Sequence, residues 1–330
     1  MLTVHEADSA NAARSRFAMP RLTVRHLTSY HYRHPVGFGD HRMMLRPRDT
    51  YDQRLIESRL VITPEPVEVR WLQDVFGNAI AVARFAGRAL ELQFDSVLVV
   101  DQSAEPPLQL DDHAREYPFS YDAEDMPDLA RCIERQMPDP GHLVDRWART
   151  FAGRNAIPTL EMLEAMTLAI RHRFTYKSRH EPGVQEPRTT LRLETGTCRD
   201  FALLMMEAVR SLGLAAKYVT GYLYTRPGRA EHDYARQDSA SRGGGNTHAW
   251  LQVFLPGAGW VEFDPTNGTV GSAGLVRVAA VRTPAQAVPL AGSWIGAPSD
   301  CLGMEVSVDV TQSVVAEPSA SLARLDKRER

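Results

Sequence analysis

Between Arg21 and about Asp101, apolar side chains recur at every second position in short runs. "RLTVRHLTSYHY" alternates cleanly, and "RLIESRLVITP" does so less regularly. "EVRWLQDVFGNAIAVARFAG" holds two runs either side of Gly77-Asn78, and "ALELQFDSVLVV" closes the series. A period of two places successive side chains on opposite faces of an extended chain, which is the pattern of half-buried strands. Broken by Pro and Gly, these runs predict an antiparallel sandwich or barrel-like β unit over 21–102.

The texture then changes. Residues 103–149 are rich in Pro, Asp and Glu and predict a connector with one or two short helices. From about 150 the apolar spacing becomes three and four. Leu160, Leu163, Met166, Ile170 and Phe174 share one stripe. A second helix is expected in "CRDFALLMMEAVRSLG", with Phe201, Leu204, Met205, Ala208, Val209 and Leu212 inward and Gly213 as its stop. Three strand-like pieces follow: "AAKYVTGYLYT", "HAWLQVFL" and "WVEFD". Pro256-Gly257-Ala258-Gly259 joins the last two as a hairpin. The polar segment 225–246, with its Gly243-Gly244-Gly245 run, reads as a flap or an insertion. Residues 271–315 form a C-terminal strand region that includes "LGMEVSVDV". The ends, 1–20 and 316–330, read as frayed tails. The expected fold class is therefore α+β, with a core over 150–270.

Composition narrows the function classes. A hydrophobic content of 43% and a charged content of 24% suit a globular chain, and a net charge of −3 argues against nucleic-acid or membrane-surface partners. No apolar run approaches the roughly 18 residues of a membrane span. The first 20 residues carry acids and no apolar stretch, so no secretory signal is expected. Cys132, Cys198 and Cys301 stand far apart, too sparse for a disulfide framework and without paired CxxC spacing. A reducing, cytoplasmic setting is expected.

One of those cysteines is placed for chemistry. Cys198 opens the second helix, where the dipole and free backbone N–H groups favour a thiolate and can face a developing oxyanion. Gly196 permits close backbone approach. His248 opens the strand after the polar loop. Alternation groups it with Trp250 and Gln252, and groups Trp260, Glu262 and Asp264 on one face of the next strand. A hairpin would bring Asp264 beside His248. Nucleophile, base and orienting acid are the three roles of a thiol acyl-transfer site.

The stretches "GTCRDFALLMMEAVRSLGLAAKYVTGYL", "NTHAWLQVFLPGAGWVEFDPTNG" and the upstream "FTY" resemble the transglutaminase-like core of bacterial proteins in the papain-like superfamily. "RLTVRHLTSYHYRHPV", "HRMMLRPR" and "DVFGNAI" resemble the β-rich N-terminal domain that precedes that core. The resemblance covers roughly 21–102 and 150–270. It implies a papain-like core whose Cys-bearing helix packs on an antiparallel sheet, with Cys198 as nucleophile, His248 as base and Asp264 as orienting acid. It also implies an amide or peptide substrate, with no cofactor and no metal. Hydrolysis is favoured, because no amine-binding feature or calcium loop is recognisable; transfer of the acyl group to an amine and an idle peptide-binding scaffold are the alternatives. The segment "RVAAVRTPAQAVPLAGSWIG" departs from the Gly-Arg-Asp-Tyr-like continuation of the family.

Other residues weigh less. Asp200 suits helix capping or loop anchoring. The resemblance gives Tyr176 a possible hydrogen bond into the cleft. His26, His31, His34 and His41 crowd one region without metal-ligand spacing. Cys132 and Cys301 read as structural thiols, and the Met43-Met44 and Met205-Met206 pairs as core filler.

Overall fold

The protein is described by a computed structural model over residues 19–103, 107–153, 155–179, 183–225 and 245–315. The expected tails, 1–20 and 316–330, and the 225–246 segment fall almost wholly outside the described residues.

The alternating runs form six strands: β1 (Met19–Phe38), β2 (His41–Met43), β3 (Gln53–Thr63), β4 (Glu68–Gln73), β5 (Ala79–Arg84) and β6 (Arg88–Gln102). Helices α1 (Met126–Ile133), α2 (Leu143–Ala152), α3 (Thr159–Arg173), α4 (Pro187–Leu193) and α5 (Cys198–Ser211) follow. Next come β7 (Ala216–Tyr224), β8 (Gly245–Leu255), β9 (Gly259–Asp264), β10 (Thr269–Val270) and β11 (Leu275–Val281). The chain closes with β12 (Leu290–Ala291), β13 (Trp294–Ile295) and β14 (Cys301–Val315).

Two antiparallel sheets make the N-terminal unit. One runs β13-β1-β6-β3, with β14 also on β1; the other runs β12-β2-β5-β4. Tyr32, Val36 and Phe38 of β1 pack with Met43, Ala81, Ala83, Leu92 and Phe94, so side chains from both sheets fill one core. The segment 271–315 does not stay together. Its first part, β11, belongs to the sheet of the second unit, which therefore extends past residue 270. Its remaining strands complete the N-terminal sheets. β14 lies along β1 from Met19↔Val315 to Tyr32↔Cys301, because a strand as long as β1 leaves an edge of unpaired N–H and C=O groups that needs a partner.

The second unit is a five-stranded antiparallel sheet, β10-β9-β8-β7-β11, with the helices gathered about α5. α5 is not an ordinary amphipathic surface helix. Every residue from Asp200 to Arg210 is buried, including Glu207 at 0% and Arg210 at 2% exposure. Those two polar side chains are tolerated because each is paired. Glu207 accepts the N–H groups of Gln136 and Met137 at 3.2 Å each, and also bonds Arg210 Nη1 at 3.2 Å. Arg210 donates to the carbonyls of Cys132, Ala216 and Arg282 at 2.8 Å each. A helix wrapped on all sides is a fixed support for whatever its first residue carries.

β11 is the edge of this sheet, and the N-terminal unit closes it with side-chain amides rather than with a strand. Gln53 accepts from Arg277 N and donates to Arg277 O, both at 2.9 Å. Asn78 does the same for Ala280 at 3.1 Å each way, and Gln102 Nε2 reaches Leu275 O at 2.7 Å. Apolar contacts flank this seam: Leu22, Val24, Leu98 and Val100 of the first unit meet Tyr222, Val276 and Ala279 of the second.

Candidate active site

Cys198 is the first residue of α5, and Thr197, with φ −96° and ψ 175°, precedes the helical turn. Asp200 locks this start. Its Oδ2 accepts Thr197 N–H at 2.8 Å and the Thr197 hydroxyl at 2.9 Å. Arg179 Nε reaches the same oxygen at 3.0 Å, and Oδ1 takes Gln185 N–H at 2.6 Å. Fully buried, Asp200 anchors the loop and caps the helix, the role expected of it. A Cβ on Gly196 would stand 2.9 Å from Asp200 Cβ and 3.2 Å from the Phe201 ring, so only glycine lets the backbone pass so close to the anchor. Thr175–Tyr176 runs parallel to Thr195–Gly196, and the Tyr176 ring meets Phe201 edge-on at 6.4 Å. Tyr176 thus stands at the helix start.

His248 comes from β8. Leu251 opposes Phe263 in the β8–β9 register, so the ring sits just beyond the last paired residues and Asp264 reaches it diagonally. His248 Nε2 donates to Asp264 Oδ2 at 2.7 Å. The Cys198 side chain lies near enough to the same imidazole to favour its protonated form. With Nε2 committed to Asp264, Nδ1 is the nitrogen left for the sulfur. Sequence-predicted Cys198, His248 and Asp264 are therefore brought together, at 9%, 6% and 1% exposure. Burial draws the imidazolium down, but the Asp264 charge and hydrogen bond, with a smaller contribution from Cys198, outweigh it and push His248 up to about 10.

Asp264 has further support. Burial opposes its ionisation, yet the His248 charge and the Asn267 hydrogen bonds hold it below the ordinary carboxylate range. Asn267 Nδ2 donates to Oδ2 at 2.6 Å, and Thr266 N–H to Oδ1 at 2.9 Å. Asn267 went unnamed at the sequence level; its signal was its place in the turn directly after Asp264-Pro265, where backbone and side-chain N–H groups fold back on the acid.

Beneath the imidazole lies the Trp250 indole, ring centroids 5.8 Å apart and planes 23° from parallel. Trp250 is fully buried, and its Nε1 donates to Glu262 Oε2 at 2.6 Å; Gln252 Nε2 donates to Oε1 at 2.8 Å. The alternation that placed Trp250, Gln252 and Glu262 beside the pair was legible, whereas the role of Glu262 was not.

The histidines of the first unit are dispersed into separate contacts. His26 bonds Tyr222 and Thr28, His34 bonds Asp300, and His41 bonds the Gly39 carbonyl. Cys132 is buried, whereas Cys301 is exposed at the start of β14 instead of held in a core. The segment that departs from the family pattern is divided: residues 277–281 complete edge strand β11, and the rest supplies β12 and β13 to the N-terminal sheets.

Comparison with known proteins agrees with this architecture. The bacterial transglutaminase-like N-terminal region matches residues 22–101, and the transglutaminase-like superfamily core matches 145–265. A Mycobacterium tuberculosis protein, described as uncharacterized, is 31% identical over 310 residues, covering 88% of this chain and 92% of its own. A Mycobacterium leprae protein, likewise uncharacterized, is 25% identical over 299 residues, covering 89% of this chain and 99% of its own. The crystal structure of "a Putative Cysteine Protease from Cytophaga hutchinsonii" superposes with a TM-score of 0.65 at 19% identity. It covers 90% of this chain and 91% of that one. Matched in both units and along most of its length, the chain belongs to the bacterial transglutaminase-like family and carries that family's papain-like core.

Proposed function

We propose that the protein cleaves an amide or peptide bond through a thioester on Cys198. The observation that carries this reading is the buried line from the Cys198 thiol through His248 to Asp264 at the start of α5. His248 takes the thiol proton on Nδ1, and the sulfur attacks the amide carbonyl to give a tetrahedral oxyanion that the Cys198 backbone N–H faces. Collapse breaks the C–N bond, and the imidazolium gives its proton to the departing amine. Water then attacks the thioester while His248 takes its proton, and release of the acid restores the thiol. Asp264 keeps Nε2–H directed toward itself, so that Nδ1 faces the sulfur throughout.

An amine in place of water at the second step would make the same thioester a transferase intermediate. All three cysteines are free, and a reducing, cytoplasmic setting belongs to the reading because it keeps the nucleophile a thiol. The test is mass-spectrometric trapping of the acyl-enzyme from a peptide library, with and without added amines. A thioester on Cys198 that water discharges supports the hydrolase. Discharge only to amines moves the assignment to acyl transfer, and the absence of any Cys198 adduct leaves a binding scaffold.

A further inference from the structure

Behind Trp250 a line of buried charge leads out of the second unit and into the first. Glu262, 2% exposed, takes the indole N–H on one oxygen and shares the other between Gln252 and Arg277 Nη1. Arg277 turns Nη2 to Asp52 Oδ1 and Thr50 Oγ1, 3.0 Å from each. The Thr50 hydroxyl donates to the same Asp52 oxygen at 2.7 Å, and Gln53 holds the Arg277 main chain on both sides. Asp52 is 4% exposed. The loop that enters β3 thus grips the arginine that grips the carboxylate under the histidine's shelf.

The arrangement asks for an explanation, because a buried triad of this kind adds little stability over apolar residues of equal volume. Its geometry suits orientation instead. Only a guanidinium can offer one nitrogen to each of two carboxylates in fixed directions, and a lysine could not span them. A buried indole N–H needs an acceptor, and Glu262 fixes how Trp250 lies against His248. Against burial, Arg277 holds Asp52 below the ordinary carboxylate range, whereas burial raises Glu262 above it. With both ionised, two carboxylates against one guanidinium leave one negative charge in excess behind the ring, a charge that would favour its protonated form. The groups facing His248 itself are Cys198 from α5 and Asp264 with Asn267 beyond β9.

We propose that Asp52, Arg277 and Glu262 are positioning residues, a relay by which the N-terminal unit sets the tilt and the charge of the His248 ring through Trp250. The role given to the ring rests on the proposed function; the relay does not require turnover to be observed.

The test follows the titration of His248 by NMR in protein with 13C-labelled histidine, alongside the rate of Cys198 alkylation by iodoacetamide at pH 6. Glu262→Gln removes one negative charge and should lower the His248 midpoint by about one pH unit, a tenfold loss of proton affinity, with Cys198 alkylation slowed severalfold. Asp52→Asn keeps an acceptor for Arg277 and Thr50 and should shift the midpoint the same way by less. It serves if Glu262→Gln fails to fold. Folded variants in which neither midpoint nor alkylation moves overturn the relay. If the midpoints move while wild-type Cys198 reacts no faster than Cys132 and Cys301, the relay stands and the catalytic reading falls.

Discussion

His26 of β1 and Tyr222 of β7 meet at 2.9 Å across the seam between the two units, both buried, with Thr28 3.1 Å from the other ring nitrogen. Burial lowers His26 to about 4, so the folded protein holds it neutral where an unfolded chain would begin to charge it at about 6.5. The seam is therefore built to tolerate neutral solution and to resist protonation.

Between pH 6.5 and 4 the unfolded chain binds a proton at His26 that the folded chain refuses. Stability from this group is complete above that window and is lost as pH falls through it, by up to about 3 kcal/mol. Urea unfolding at pH 7, 6, 5 and 4 measures this. His26→Asn should be less stable at pH 7 yet lose less on acidification. Parallel losses in variant and wild type would remove the seam histidine from the explanation.

His248 contributes with the opposite sign. Its folded value, near 10, exceeds the unfolded one, so its contribution is fully present below about 6.5 and fades as pH rises toward 10. Asp264→Asn removes the charge that sustains this. It should flatten the alkaline loss and slow alkylation of Cys198 at pH 6 by ten- to a hundredfold. An unchanged alkylation rate would separate Asp264 from the behaviour of the thiol.

Cys198→Ala should abolish acyl-enzyme formation and turnover on any confirmed amide substrate while leaving the circular dichroism spectrum and unfolding midpoint close to wild type. The helix start is held by Asp200, not by the sulfur. Full activity in this variant would transfer the nucleophile's role elsewhere.

Gly221 has no room for a side chain between β7 and β11. A Cβ there would lie 1.9 Å from the Val276 carbonyl and 2.9 Å from the Trp250 ring, at the place where the register shifts. Gly221→Ala should cost a few kcal/mol, because backbone must move to admit the methyl group. Thermal unfolding checks it, and a midpoint within a degree of wild type would show that the bulge absorbs the methyl.

Much of the site was legible from residue types at fixed spacing. His248 and Asp264, in a hairpin joined by Pro256–Gly259, need only local periodicity to be brought near one another, whereas Cys198, before an apolar helix, joined them through the family resemblance. What stayed hidden depends on contacts distant in the chain. Gln53, Asn78 and Gln102 read as ordinary polar strand or turn residues until β11 lies beside them. Arg277 falls in a segment whose family likeness fades, and Glu207 and Arg210 look like the polar face of a surface helix. Each is polar and buried, or half-buried for Arg277, a state that hydropathy assigns to solvent and only a tertiary partner explains.

The pairing of β14 with β1 also governs how the chain can reach this state. Met19 finds its neighbour at Val315, so the first sheet cannot close until the whole second unit and β14 after it have been synthesised. Folding must carry this long-range closure as a late, slow step, with the outer edge of β1 exposed to stray pairing in the interval. Shortening the chain at its far end would accordingly injure the beginning of the protein before it touched the thiol.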